Sequence, residues 1–233
     1  MILPNSIRKL IAKETPENHR RITELCVKYF KNKNAKVLDL GTGSGKLLYN
    51  ISKKTKISSK NFYAVEHDKN YFKQLKNYGF HTKTFNVEEK FPYKDNEFDY
   101  IIANQIIEHL YFTDKFMEQI NRILKPGGLL ILSTTNLVAI HSRLMMLFGF
   151  MPNSLHPSQH IVGTMIKKNG LNPLYGHKSV FSGKGLLQFT KIHKFKIILY
   201  ETQSILLLPR FLSKIICHIF DFGTHINIVA KKD

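Results

Sequence analysis

A four-residue run, Val37 to Leu40, carries an acid at Asp39 and leads straight into three alternating glycines, giving VLDLGTGSGK over residues 37–46. So short an apolar run reads as a buried strand, and glycines directly after it let the backbone turn and pass close beneath a ligand. The same rhythm continues along the chain. NFYAVE (61–66), HTKTFNV (81–87), EFDYIIAN (97–104), LLILSTT (129–135), KIILYETQ (196–203) and HINIVAKK (225–232) read as further strands. Between them lie stretches with helical spacing: Leu47, Leu48 and Ile51 after the glycines, YFKQLKNYG stopped by Gly79, TDKFMEQINRIL, and GKGLLQFTKIHKF. Strands alternating with helices build βαβ units, so an α/β fold with a doubly wound sheet is expected.

Two stretches stand outside this rhythm. Residues 1–34 form an N-terminal helical segment. Thr15 is placed to cap a helix that has Pro16 at its first position and Ile22, Leu25, Cys26, Tyr29 and Phe30 on one face. Residues 136–180 are long, rich in Met, His, Gly and Pro, and leave the sheet where a β-to-α connection opens. A further apolar helix, PRFLSKIICHIF, is expected from Pro209. No repeat interrupts the pattern, so residues 1–233 read as one domain with an embellishment.

The formal charge of +18 suits a polyanion such as RNA or an anionic lipid headgroup. Only six of the 35 basic residues are Arg, however, and the lysines are spread over the whole chain. Arg is the better fork for phosphate, so a diffuse solvated charge is favoured over a nucleic-acid site. Cys26 and Cys217 are far apart and belong to no CxxC pair, which suits a reducing compartment. The start MILPNSIRKLIAKE carries charge too early for a signal peptide, and no apolar run is long enough to span a bilayer. A cytoplasmic location is expected, with peripheral membrane contact left open.

The glycine loop excludes two ligands. A nucleoside-triphosphate loop, GxxxxGK[ST], needs glycine where Leu40 stands and Ser or Thr where Leu47 stands. The dinucleotide fingerprint GxGxxG needs its third glycine at Lys46, but the glycine comes one residue earlier at Gly45. Glu66, ending the second strand, is nonetheless placed for a ribose diol, so an adenosine-type ligand fits.

VLDLGTGSG, AVEHD, NVEEKFPY, EFDYIIANQIIEHL and ILKPGGLLILSTTN, in this order, resemble the motifs of class I S-adenosylmethionine-dependent methyltransferases. The likeness is to the branch that includes ubiquinone-biosynthesis O-methyltransferases (the methyltransferase type 11 group). It covers residues 35–136, with weaker echoes in GHKSVFSGKGLLQF and HINIVAKK. The resemblance implies a Rossmann-like, seven-stranded, mostly parallel sheet with a last antiparallel strand. It implies S-adenosylmethionine as the cofactor, cradled by Gly41, Gly43 and Gly45, with Asp39 orienting the loop and Glu66 on the ribose hydroxyls. Asn86, where the family usually has Asp, would accept from the adenine amino group, and Val87 would offer its amide to the ring. Asn104 and Gln105 would line the methionyl end, and His109 would be structural or cofactor-adjacent.

The acceptor is less constrained. His141, His156, His160 and His177 lie in the 136–180 segment, and His177 is the candidate general base or pocket-lining group. His156 and His160 are four apart but flank Pro157, and no metal site is expected from them. Leu137, Ile140, Leu144, Leu147, Phe148 and Met151 share a helical face that either covers the sheet or forms an apolar lid. The fourth strand ends in ANQI and lacks the motif of base-amino methylation. A small apolar or amphipathic acceptor is therefore expected. An RNA or protein methyltransferase, or a non-catalytic S-adenosylmethionine-binding protein, is the alternative.

Overall fold

The computed structural model describes residues 14–152, 154–155, 158–160, 162–163, 177–203 and 221–233, with side chains from Glu17 onward. The helix expected from Pro209, His156, Cys217 and much of the 136–180 segment lie outside these residues. In chain order the elements are α1 (Glu14–Tyr29), β1 (Val37–Leu40), α2 (Lys46–Thr55), β2 (Phe62–Val65), α3 (Phe72–Asn77), β3 (His81–Lys83) and β4 (Phe98–Asn104). They continue with α4 (Thr113–Ile123), β5 (Leu124–Thr135), α5 (Ile140–Leu147), α6 (Gly183–Ile192), β6 (Phe195–Gln203) and β7 (His225–Lys232). The seven strands form one sheet in the order β3-β2-β1-β4-β5-β7-β6. β1 to β5 pair in parallel, and β7 runs antiparallel between β5 and β6.

Strand alternation divides the core in two. Leu38, Leu40, Ile101, Ala103, Leu130, Leu132, Ile226 and Ile228 face α4 and α6, against Phe116, Met117, Ile120 and Leu186. Val37, Tyr100, Ile102, Ile131 and Val229 face α1, α2 and α3, against Ile22, Leu25, Leu48, Ile51 and Leu75. α1 is pinned to this second face along its length. Phe30 stacks on Tyr100 with ring centroids 4.0 Å apart, and the Tyr100 hydroxyl accepts the amides of Lys31 and Asn32, both at 3.1 Å. Arg21 forks onto both Glu201 oxygens at 2.7 and 2.6 Å, and Asn18 reaches Asn104 at 2.9 Å.

Three expectations are corrected. HTKTFNV pairs as a strand only over His81–Lys83, so Asn86 and Val87 lie beyond its end. The Asn86 side chain accepts the Glu88 amide at 3.0 Å, a local turn that competes with the ladder. The strand expected over LLILSTT (129–135) begins earlier, at Leu124, drawing in LKPGG, and the register with β4 shifts between Phe98 and Tyr100. The helical face expected over 137–151 is helical only from Ile140 to Leu147. It buries Ser142 and Met145, leaving Leu144, Leu147 and Phe148 exposed at 50%, 76% and 68%. It does not cover the sheet with its apolar stripe.

The chain returns to β7 through a fixed junction. The Thr224 amide and hydroxyl both donate to the Gln203 carbonyl, at 2.7 and 3.2 Å. Asn136, just past β5, donates from its side chain to the carbonyls of Asp221 and Gly223, at 2.9 and 2.8 Å.

Candidate active site

The glycine loop sits at the C-terminal end of β1, beside the end of β2, where open α/β sheets bind ligands. Gly41, Gly43 and Gly45 all have positive φ, at 77°, 56° and 76°. At Gly45 the requirement is also one of space: a Cβ there would lie 2.5 Å from Leu75 Cδ2. At Gly43 the surroundings are open, with nothing within 4 Å of a Cβ, so the loop is bare on the side a ligand would approach. The Gly43 amide donates to Glu66 Oε2 at 2.5 Å, and the Asp68 amide donates to Oε1 at 2.9 Å. Glu66 is thus aimed by two backbone amides from either side, and carboxylate lone pairs remain for a diol.

Asp39 is buried beneath the loop, with the Thr42 hydroxyl on its carbonyl at 3.1 Å. Burial pushes its carboxyl up to about 7; the Thr42 hydroxyl opposes the shift and the nearby Glu66 charge adds to it. Asn86 is exposed, and both ends of its amide are engaged, with Glu88 and with Glu89 at 3.0 Å. Val87 follows in the same turn, half-buried against the core.

At the end of β4, Gln105 takes a positive φ of 55° and its amide donates to the Ser133 carbonyl at 2.9 Å. Its side chain lies against Ser133 Oγ at 3.2 Å; in the amide orientation that satisfies its neighbours it donates to Glu108 Oε1 at 3.1 Å. Glu108 is buried and accepts the Thr134 hydroxyl at 2.9 Å. Burial pushes its carboxyl up to about 7, against the pull of hydrogen bonds from its own amide, Thr134 and Thr135.

The structure brings His177 to this turn. The Lys178 and Ser179 amides donate to the Glu108 carbonyl at 2.6 and 3.1 Å, docking the returning chain onto residues 107–110. The His177 ring meets that of His109 edge to face at 4.9 Å, and its Nδ1 lies 3.4 Å from the Ser154 carbonyl. Glu108, His109 and His177 each offer one ligand atom within 4.8 Å of the others, a donor set compatible with a cation. Sequence reading sees Glu108 and His109 side by side after the fourth strand, but places His177 in a separate segment and does not join it to them. His141 is half-buried on α5, and His160 is exposed in the following segment.

Residues 31–171 match the family described as Methyltransferase domain, more than half of the chain. The chain belongs to the S-adenosylmethionine-dependent methyltransferase family. S-adenosylmethionine is the cofactor of that family, and the bare Gly43 beside an aimed Glu66 fits it. A curated relative is the mitochondrial ubiquinone biosynthesis O-methyltransferase of Mus musculus, 24% identical over an alignment of 153 residues that covers 59% of this chain and 41% of that protein. The chain thus spans less than half the length of that relative. A chain in the complex between the Haloferax volcanii Trm112 methyltransferase activator and a putative methyltransferase superposes with a TM-score of 0.63 at 14% identity, covering 96% of this chain and 93% of that one. An S-adenosylmethionine-dependent methyltransferase from Thermotoga maritima does so with a TM-score of 0.59 at 17% identity, covering 97% and 100%. Both share the fold of this chain. No described helix is long and apolar enough to cross a membrane.

Proposed function

We propose that the protein transfers a methyl group from S-adenosylmethionine to a small amphipathic acceptor by in-line displacement. The observation that carries this reading is the Glu66 carboxylate, aimed by the Gly43 and Asp68 amides beside a loop with open space above Gly43. Glu66 would hold the ribose hydroxyls, Asp39 would fix the loop from below, and Asn86 and Val87 would meet the adenine. Asn104 and Gln105 would face the methionyl end. When bound, the cofactor supplies an electrophilic methyl: its C–S electron pair stays on sulfur as the acceptor lone pair forms the new bond. The chain's own task is to align that lone pair and to take the proton an O–H or N–H acceptor sheds. His177, held near Glu108 and His109, is the proposed base.

A polyanionic acceptor has less support. Arg122 is spent on the carbonyls of Phe91 and Tyr93 and on Asp95, and Arg21 is spent on Glu201. The test is incubation of the protein with methyl-labelled S-adenosylmethionine and a cell extract, fractionated into small molecules, lipid, RNA and protein. Label in the small-molecule fraction is expected. Label confined to RNA or protein, or no binding of the cofactor by calorimetry, would overturn the reading.

A further inference from the structure

The face of the sheet beneath α1 changes character towards the C-terminal ends of β4 and β5. Ile102, Ile131 and Val229 lie side by side in register and are fully buried and apolar. One step further along the same face, the register places Asn104, Ser133, Asn227 and Glu201 in a row. The next step places Thr135, His225 and Gln203 together. Two consecutive polar rows thus stand where the alternation calls for core. α1 lays Asn18 and Arg21 over them, while α5 contributes His141.

Arg21 neutralises Glu201 through its paired bonds, so the buried patch holds no unbalanced charge from that pair. The remaining groups are under-bonded. Asn227 Nδ2 is committed to Glu201 and Gln203 at 3.3 and 3.2 Å, which turns its Oδ1 away with no partner. Asn18 Nδ2 is committed to Asn104, and its Oδ1 is likewise unpartnered. Thr135 Oγ1 and His141 Nδ1 complete a set of four buried, unbonded polar atoms on this face, out of seven among the described residues. An unpaired buried polar atom is costly, so native chains keep few of them without a use. His225 is held neutral by burial and by the neighbouring His141 and His19. Two of the four unbonded atoms are amide oxygens, which can only accept.

We propose that this face binds the reacting end of the methyl acceptor, an uncharged small molecule presenting O–H or N–H groups to Asn18, Thr135, His141 and Asn227. The inference rests on the methyl-transfer reading above and narrows its substrate class. Position supports it: Asn18 bonds directly to Asn104, the residue proposed to face the methionyl end of the cofactor. Burial disfavours a charged ligand, because this interior offers no counter-charge that Arg21 has not already taken. An apolar remainder of the acceptor can then extend towards α5.

The test uses the full chain saturated with S-adenosylhomocysteine and two probe pairs that differ in hydrogen-bond donors. These are catechol against its dimethyl ether, and aniline against N,N-dimethylaniline. Binding is read by ligand-observed NMR together with the imidazole signals of His141 and His225. The donor-bearing probes are expected to bind about tenfold or more tightly than their capped partners and to shift both imidazole signals, since a site built for a donor rejects the analogue lacking it. Thr135→Val should weaken that preference without abolishing it, because the Asn18 and Asn227 oxygens remain, leave S-adenosylhomocysteine affinity unchanged and leave melting temperature equal or raised, because a hydroxyl unbonded in the free protein is being removed. Equal binding of capped and uncapped probes, or a preference undiminished by Thr135→Val, would overturn the proposal. So would an absence of probe binding with a lowered melting temperature in Thr135→Val, which marks a structural water cluster. Failure to bind S-adenosylhomocysteine would instead strike the methyl-transfer reading, and the probe comparison without it would still judge this face.

Discussion

The Gly43 amide donates to the Glu66 carboxylate across the gap between the first two strand ends, at 2.5 Å. One side chain therefore shapes the loop and, in the proposed reading, receives the ribose. Glu66→Gln keeps the shape of the side chain while removing its charge and one acceptor. Cofactor affinity should fall by about 1.5–3 kcal/mol, the range for hydrogen bonds to a charged group. Calorimetry against S-adenosylmethionine checks this, and an unchanged dissociation constant would place the ribose elsewhere.

Asp39 should leave a signature in the pH dependence of stability. Its folded carboxyl titrates at about 7 against an ordinary 3.8, because burial disfavours the charge. Between those values the folded state holds a proton that the unfolded chain has released. Stability from this group is then fully present below about pH 4, falls as pH rises towards 7, and levels off above. In Asp39→Asn that component disappears. Urea midpoints for the two proteins across this window should diverge from a common slope, and a constant difference between them would mean that Asp39 is ionised throughout.

Gly45 tests whether the loop's backbone is a packing requirement. Alanine there must hold φ near 76° and place its Cβ 2.5 Å from Leu75 Cδ2, with Tyr78 at 3.3 Å. Gly45→Ala should cost about 1–3 kcal/mol in chemical denaturation. Gly43→Ala meets no atom within 4 Å and should lose less stability while still weakening the cofactor. Equal losses at the two positions would contradict this division.

The acceptor side separates by kinetics. Phe148 is 68% exposed just past the end of α5, so Phe148→Ala should barely change folding, and as a pocket wall it would mainly raise KM. His177→Ala should lower kcat at neutral pH and remove a rate limb near an imidazole pKa. Cofactor affinity should stay within about twofold in both, because neither lies at the glycine loop. Joint loss of cofactor binding and folded signal would make the segment structural.

The layout of the sheet was legible because apolar runs and glycines report directly on burial and turning. VLDL and HINIVAKK even keep their ends, Val37–Leu40 and His225–Lys232. HTKTFNV pairs over less than its apparent length, because a strand propensity on an exposed edge yields to the local bond that the Glu88 amide donates to the Asn86 side chain. Helical periodicity identified Leu144, Leu147 and Phe148 as neighbours but not which way they face, since only tertiary packing decides that. The polar rows were hidden for another reason. Asn227 and Ser133 sit in different strands, and only the pairing register brings HIN and STT together. Polar residues at alternate positions of an otherwise apolar strand were the available signal.

Gln203 and Thr224 are bolted together by two hydrogen bonds, and Asn136 clamps the return from Asp221 to Gly223. The chain that connects β6 to β7 therefore leaves and rejoins the sheet at an already closed gate. Closing a connection costs entropy mainly through its end-to-end constraint, which here is met locally and grows only slowly with length. The register of β6 against β7 is then held at this junction, by Gln203, Thr224 and Asn136, as well as by the ladder itself.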